Sequence, residues 1–222
     1  MFQGPLTESI LKRAVDNGLL EIHLHDIRSF SEARHRQVDD KPYGGGAGML
    51  MQVEPIVRGI EEISGKCLPA GKAGKVVGGK SARNIQKPHC IYLSAAGKRL
   101  TQTKVERLGK KEWILLLCGH YEGIDQRIID GWIDEEISIG EYVLTGGELP
   151  AMVLVDAVAR HIPSVLGKEA SAHLDSFSKA FGRKREYPQY TRPEEFRSMR
   201  VPDVLLSGDH RKIEEWRKSK LL

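Results

Sequence analysis

Two loops that contain glycine carry most of the residues that could do chemistry in this chain. The first spans residues 119–123 and follows an apolar run at 113–118; the second spans 134–151 and includes the apolar residues Tyr142, Val143 and Leu144. Apolar runs bounded by glycine predict buried strands of a parallel sheet. Glycine at a strand end lets a ligand approach the backbone closely. The pattern therefore predicts a small-molecule pocket at the strand ends of an α/β sheet.

Charged residues in and near these loops are candidates for the chemical step. Glu122 lies inside the first loop, where polar side chains more often act on ligands than pack. Asp156 and Arg160 are four residues apart on a predicted helix. They could form an ordinary ion pair, or Arg160 could present its guanidinium to an oxygen that gains charge. Asp175, considered by itself, is an exposed acid or a helix N-cap.

A second glycine run, at residues 44–48, could be a flexible turn. Its neighbours Asp39, Asp40, Lys41 and Tyr43 instead place polar groups beside a backbone that a planar ligand or a phosphate can approach. This combination favours a binding role.

Residues 74–81 match the P-loop pattern G-x-x-x-x-G-K-S, which would bind a nucleoside triphosphate through Lys80. A P-loop requires a buried strand before it and a helix after it. No apolar run precedes this match, and Pro88 soon follows it. A P-loop nucleotide hydrolase is therefore an alternative that the surrounding sequence disfavours.

Composition bounds the remaining possibilities. The chain has 222 residues with 34 Lys and Arg against 30 Asp and Glu, an excess that permits an anionic partner without requiring one. Cys67, Cys90 and Cys118 are too widely spaced for a zinc site. The sequence has no signal peptide and no apolar run of membrane-spanning length, so we expect no membrane partner and a cytoplasmic location.

Hydrophobic periodicity predicts the main elements. We expect helices near residues 6–17, 49–63, 101–108 and 148–162, and strands at 20–24, 90–93 and 113–118. Residues 94–97 are predicted as the turn that ends the second of these strands. Residues 64–88 are predicted to be a basic, flexible insertion, and 181–222 a basic segment that is helical at its end.

Seven segments together resemble the bacterial tRNA (guanine-N1)-methyltransferase family, TrmD, of the knotted SPOUT superfamily. The segment around the first loop, 118–125, reads Cys-Gly-His-Tyr-Glu-Gly-Ile-Asp, and the second loop contains Ser-Ile-Gly-Glu-Tyr-Val-Leu-Thr-Gly-Gly-Glu-Leu-Pro. All seven segments occur in the family's order, at 38–49, 91–94, 118–125, 138–150, 175–177, 190–193 and 204–208.

The resemblance implies a SPOUT-type α/β fold: a parallel sheet with a trefoil knot at the C-terminal end of the domain, plus a small, mostly helical C-terminal domain. The implied boundaries are 1–162 for the knotted domain, 163–180 for a linker and 181–222 for a shortened tRNA-binding domain. The chain begins after the family's first strand, so that strand is expected to be missing. The family is an obligate homodimer with each active site at the interface.

The resemblance also implies the reaction and its site. The family transfers a methyl group from S-adenosylmethionine to N1 of guanosine at position 37 of tRNA. It implies Asp175 as the general base, contributed by the partner subunit, Arg160 as the catalytic arginine, and Glu122 as an orienting residue. Magnesium assistance is implied by resemblance only, since no ligand cluster is visible. The residues expected to contact the cofactor are Tyr92, Leu93, Ser94, Gly97, Gly119, Tyr121, Glu122, Gly123, Ser138, Ile139, Gly140, Glu141, Tyr142, Val143, Leu144, Gly146 and Gly147. A homologue that binds RNA without catalysis is the other alternative.

Overall fold

The computed structural model describes residues 1–65, 87–166 and 175–222. It divides the chain into two compact units, Met1–Val165 and Leu166–Leu222. Most of the predicted insertion at 64–88, including Lys80 of the P-loop match, lies outside the described residues. No described helix has the length and apolar character needed to cross a membrane.

The first unit is built on a parallel sheet of three strands. The strands are β3 (His89–Arg99), β4 (Ile114–Cys118) and β5 (Glu135–Ser138), in the order β4-β3-β5. Ile91 of the central strand pairs with Leu116 on one side and Glu135 on the other. The predicted α/β class with a parallel sheet is confirmed.

Helices cover both faces of this sheet. They are α1 (Ser9–Asp16), α2 (Val53–Ser64), α3 (Gln102–Leu108), α4 (Gln126–Trp132) and α5 (Glu148–Ala159). Alternate residues of β3 point to opposite faces, as the strand period requires. Tyr92 therefore packs with α2 and α4 residues such as Ile56 and Ile128, whereas Ile91 packs with Leu108 of α3 and Leu154 of α5. A central strand buried on both faces explains its continuous apolar run.

Four predicted elements need correction, and the first three lie before β4. Residues 20–24 do not form a strand, because alternation supplies one solvated face but no described strand offers them a ladder partner. Residues 94–97 are not a terminal turn: β3 continues to Arg99, with a register shift between Leu93 and Lys98. The helix expected from residue 49 begins at Val53, and Leu50–Met51 (β2) instead pair with Asp39–Asp40 (β1).

The apolar residues Tyr142, Val143 and Leu144 are also not a strand. Their side chains are exposed, Val143 by 85%, and the strand of this region is β5, which ends earlier at Ser138. Apolar character alone does not distinguish a buried strand from a surface loop. The predicted strand at 113–118 and the predicted helices near 6–17, 101–108 and 148–162 are confirmed.

The second unit contains short elements. A two-stranded antiparallel ladder, β6 (Glu195–Phe196) with β7 (Met199–Arg200), precedes α6 (Asp203–Leu206) and α7 (His210–Ser219). Trp216 of α7 packs against the ring of Tyr190 at a centroid distance of 6.4 Å, and Arg217 lies over the ring of Tyr187. The helix predicted at the end of the chain is therefore present and held by aromatic contacts.

Candidate functional site

The two predicted loops meet at one edge of the sheet. Because β4 and β5 both run parallel to β3, the loops that follow their carboxyl ends emerge on the same side. The backbone N–H of Gly147 donates to the carbonyl of Gly119 at 2.9 Å, and His120 forms a β-bridge with Gly146. The structure thus brings together two segments that sequence reasoning treated as separate walls of one pocket.

The side chain of Tyr92 packs against the backbone of the first loop. Its side chain is buried, and a β-carbon on Gly119 would lie 2.9 Å from the ring and 3.0 Å from the hydroxyl oxygen. A β-carbon on Gly123 would lie 3.4 Å from the same oxygen. Burial raises the pKa of the Tyr92 hydroxyl, with the charge of Glu136 acting in the same direction. Tyr92 is therefore a neutral side chain against which the backbone of the first loop packs at Gly119 and Gly123.

The second loop is held by Ser138 at the end of β5. The buried Ser138 hydroxyl donates to the carbonyl of Gly140 at 2.8 Å and accepts from its N–H at 3.2 Å. The ring of Tyr142 lies directly against Gly140. Glu141 is exposed and pairs with Arg99 at 3.3 Å. The backbone at the start of the loop is therefore fixed by Ser138, while the side chains of Glu141 and Tyr142 are exposed.

Gly97 of β3 and Gly147 of the second loop are required by the fold itself. A β-carbon on Gly97 would lie 2.5 Å from the backbone nitrogen of Ile137, and one on Gly147 would lie 2.7 Å from Cα of Cys118. No neighbour in these contacts is a flexible side chain, so no substitution is accommodated easily. Leu93 likewise directs its side chain into the core. At these positions only the backbone is available to a ligand.

The structure reveals a pair that sequence reasoning missed. Nε2 of His120, in the first loop, lies 2.5 Å from Oε1 of Glu148, the first residue of α5. Cys118 lies nearby, and its burial together with the charge of Glu148 raises the pKa of the thiol to about 12. His120 and Glu148 are 28 positions apart in the chain. In the sequence, the one indication of a role for Glu148 is that this acid directly follows two glycines and begins an apolar helix.

The glycine run at 44–48 lies against the first loop. The N–H of Glu122 donates to the carbonyl of Met49 at 3.1 Å, and the N–H of Met51 donates to that of Gly123 at 3.0 Å. A β-carbon on Gly48 would lie 2.6 Å from Oε1 of Glu122. The run predicted to bind a ligand and the predicted orienting carboxylate are therefore neighbours.

Arg160 and Asp175 belong to different units. Arg160 directly follows α5, and its N–H donates to the carbonyl of Asp156 at 3.4 Å. Asp175 lies in the second unit, where its carbonyl accepts from the N–H of Ser178 at 3.1 Å. The ion pair between Asp156 and Arg160 and the joint action of Arg160 with Asp175 both stay predictions.

Exposed apolar side chains occur both in the second loop and on α5. Tyr142 and Val143 are exposed, as are Leu149 and Val153, which are one helical turn apart and 48% and 47% exposed. The opposite side of α5 is buried through Ala151 and Leu154. A helix that is apolar on both sides is typical of one covered on both sides.

A separate cleft of about 1570 Å³ runs along β4, next to residues 18–28. Its lining includes His120, Tyr121 and Glu148 but no residue from 138–147. In the described part of the chain it follows β4, an outer strand of the sheet, and it includes His120 and Glu148, which contact each other between the loops. Across residues 1–65, 87–166 and 175–222, no group of three or more His, Cys, Asp or Glu side chains could hold a metal ion.

Comparisons with known protein sequences identify the family of this chain. The family model for "tRNA (Guanine-1)-methyltransferase TrmD" matches residues 1–222. The chain is 50% identical over 222 residues to the tRNA (guanine-N(1)-)-methyltransferase of Alkaliphilus oremlandii, covering 100% of this chain and 83% of that protein. It is 47% identical over 218 residues to the enzyme of the same name from Clostridioides difficile, covering 98% and 86%. A third such enzyme, from Carboxydothermus hydrogenoformans, is 49% identical over 222 residues, covering 100% and 79%. This chain therefore belongs to the tRNA (guanine-1)-methyltransferase family TrmD.

Proposed function

We propose that this chain transfers a methyl group from S-adenosylmethionine to N1 of guanosine in tRNA, at position 37 of the anticodon loop. One observation carries the proposal: in a chain of this family, the two glycine loops meet at the carboxyl edge of a parallel sheet, joined by the hydrogen bond from Gly147 to Gly119. Ligands of open α/β sheets bind outside the carboxyl ends of strands. The position of the loops is therefore where a methyl donor is expected.

The backbone groups and aromatic side chains of the two loops fit S-adenosylmethionine. Gly140 places backbone next to the exposed ring of Tyr142, Gly146 places backbone next to His120, and the ring of Tyr121 in the first loop is also exposed. Backbone N–H and C=O groups bind a purine and a ribose, and the aromatic rings add apolar surface. When bound, S-adenosylmethionine supplies a methyl group that its sulfonium already activates. We assign the loop residues named in the sequence analysis to its binding, with Gly97, Gly147 and Leu93 contributing backbone only.

The acceptor requires a base and a cation. N1 of guanine carries a proton, and its removal puts negative charge on N1 and O6. A carboxylate within hydrogen-bond reach can take that proton, and a guanidinium can stabilise the charge on O6. We assign these roles to Asp175 and Arg160. Glu122, held beside Gly48, orients the reactants.

A homodimer completes the site in this proposal. The exposed apolar side chains of Leu149 and Val153 lie on the helix that follows the second loop. A second copy of the chain would cover them and bring its Asp175 to the Arg160 of its neighbour. The trefoil knot belongs to the same proposal: it is supported by the second loop, which returns from β5 to bridge the residues after β4.

The second unit is proposed to bind tRNA. In residues 181–222, Lys and Arg outnumber Asp and Glu by four, which equals the excess for the whole chain. Concentrated positive charge favours binding to phosphates. Binding to tRNA implies action in the cytoplasm, and no magnesium site is assigned.

Methyl transfer from labelled S-adenosylmethionine to an unmodified tRNA with guanosine at position 37 tests the proposal. Label should enter that tRNA and should not enter a matched transcript with adenosine at position 37. Calorimetry with S-adenosylmethionine, ATP and tRNA in separate titrations distinguishes the alternatives. Binding of tRNA without methyl transfer would favour the non-catalytic homologue, and binding of ATP alone would favour the nucleotide hydrolase.

A further inference from the structure

The contact between His120 and Glu148 connects the two loops of the proposed cofactor site through side chains. The Nε2–H of His120 donates to Oε1 of Glu148 at 2.5 Å. The side chain of Glu148 is only 16% exposed and that of His120 is 41% exposed. Hydrogen bonds to ionised groups are short and about twice as strong as neutral ones. The contact is therefore more than a loosely held surface pair.

The pair also determines where Gly146 lies. A β-carbon on Gly146 would lie 2.5 Å from Oε2 of Glu148 and 2.8 Å from Cε1 of His120. The backbone of the second loop thus rests directly on both side chains. Because His120 itself bridges to Gly146, a displacement of either side chain moves the second loop relative to the first.

His120 is anchored from its other side as well. Its N–H contacts Sδ of Met51, which belongs to β2, at 3.3 Å, and its carbonyl accepts from the N–H of Gly123 at 3.1 Å. His120 therefore has a fixed position relative to the core, and Glu148 has a fixed position at the start of α5. The pair connects two rigid elements across the space between the loops.

One oxygen of this pair is left without a donor. Oε2 of Glu148 is buried and has no hydrogen-bond partner among the described residues. A buried carboxylate whose second oxygen is unsatisfied is not the arrangement that stability alone favours. It is consistent with a residue placed for the geometry of its neighbours.

We propose that His120 and Glu148 are positioning residues that hold the two loops at the spacing required for S-adenosylmethionine. This inference rests on the proposed function, since it concerns the same site. Neither residue is assigned contact with the reacting atoms. Loss of the pair should therefore weaken cofactor binding and leave the turnover at saturating cofactor nearly unchanged.

The test compares His120→Ala with wild type by calorimetry with S-adenosylmethionine and by methyl-transfer kinetics. We expect Kd and KM for the cofactor to rise about tenfold, in the range of coupling between contacting residues, while kcat changes little. Glu148→Gln, which keeps the shape and removes the charge, should have a similar effect. The double variant should be no worse than the more affected single variant, because both changes remove one contact.

His120→Arg provides the rescue. A guanidinium has donors for both carboxylate oxygens, so it can satisfy Oε1 and the unpaired Oε2 together. We expect its cofactor Kd within about threefold of wild type. This variant keeps a hydrogen-bond donor at position 120, so it tests the proposal even where His120→Ala folds poorly.

A buried ion pair at the other end of the sheet is the matched control. Lys104 and Glu135 lie 3.1 Å apart and are 14% and 13% exposed, at the amino end of β5. Lys104→Ala should lower the melting temperature without changing cofactor Kd. If wild type binds S-adenosylmethionine but the cofactor Kd of His120→Ala or of His120→Arg differs from the value expected above, the positioning role is wrong and the proposed function stands. If wild type does not bind S-adenosylmethionine, the positioning role and the proposed function are both wrong.

Discussion

Gly48 and Glu122 are in contact although 74 residues separate them: a β-carbon at position 48 would lie 2.6 Å from Oε1 of Glu122. Gly48 also has a φ of +88°, which side chains rarely adopt. The contact connects the glycine run at 44–48 to the loop after β4. Two features that the sequence presents separately therefore form one wall of the proposed site.

Gly48→Ala should reduce methyl transfer by displacing the Glu122 carboxylate. The expected loss is about tenfold to a hundredfold in kcat/KM, since small misplacements of catalytic groups have effects of that size. Gly45→Ala is the control, because its φ of +79° imposes similar strain while no atom lies within 4 Å of its β-carbon. Equal losses in both variants would mean that strain in the run, and not the position of Glu122, controls turnover.

Gly119→Ala should destabilise the first unit and weaken cofactor binding. Its β-carbon would lie 2.9 Å from the buried ring of Tyr92, which cannot move away without disturbing the core. Overpacking of this kind costs about 1–3 kcal/mol. Gly131→Ala in α4 meets no atom within 4 Å and should stabilise by ~0.5–1 kcal/mol, as expected for replacement of a helical glycine. Thermal unfolding measures both, and a neutral Gly119→Ala would contradict the supporting role of Tyr92.

Gly140→Val should remove cofactor binding while the protein still folds. The new side chain first meets the ring of Tyr142, which is 55% exposed and can move into solvent. The core is therefore spared, and the remaining conflict is with a ligand that approaches the backbone. Calorimetry and circular dichroism report the two effects separately. Near wild-type affinity for S-adenosylmethionine would exclude Gly140 from the cofactor site.

Val153→Arg should convert a dimer into monomers and abolish most activity. The substitution puts a charge into the apolar surface on α5 that we propose to be covered by a second copy. Val15→Arg is the control, since Val15 is an apolar residue of another helix and is similarly exposed, 40% against 47%. Analytical ultracentrifugation gives the state of each variant. A dimeric Val153→Arg protein would place the interface elsewhere.

Asp175→Ala and Arg160→Ala should each keep cofactor binding and lose turnover by about 10²–10⁴-fold, the usual effect of removing a general base or a comparable group. Mixing the two inactive variants should restore part of the activity. In a mixed dimer one site has both residues intact and the other has neither. If subunits exchange, as labelled protomers can verify, and no activity returns, each site is built within a single chain.

The local hydrophobic pattern of the sequence predicts those helices and strands of the first unit in which burial follows one regular pattern along the whole element. The run at 113–118 was identified because a strand in a parallel sheet buries both faces, so its hydrophobicity is continuous. The helix predicted at 101–108 is α3, and the structure shows Thr101 as its N-cap, with a side chain that accepts from the N–H of Lys104. Such signals depend on neighbours in the sequence and need no knowledge of the fold.

Pattern failed where a partner distant in sequence decides the outcome. Residues 20–24 alternate like a strand, but a strand forms only where another strand supplies its hydrogen bonds, and none of the described strands does so. Tyr142, Val143 and Leu144 form an apolar run, but their side chains are exposed, and we propose that they contact the cofactor. A single sequence cannot distinguish a buried strand from an exposed apolar loop, since the residues are apolar in both.

By itself, the sequence determined the α/β class and the family, because these depend on composition, local periodicity and the order of motifs, and it supplied the residues of the proposed site. Only the tertiary structure decided which of those residues meet. It placed Gly48 against Glu122, Tyr92 against Gly119, and His120 against Glu148, and it packed Gly97 and Gly147 closely against neighbouring backbone. The physical reason is that these contacts join segments far apart in the chain, and their distances are set by the parallel sheet that carries them.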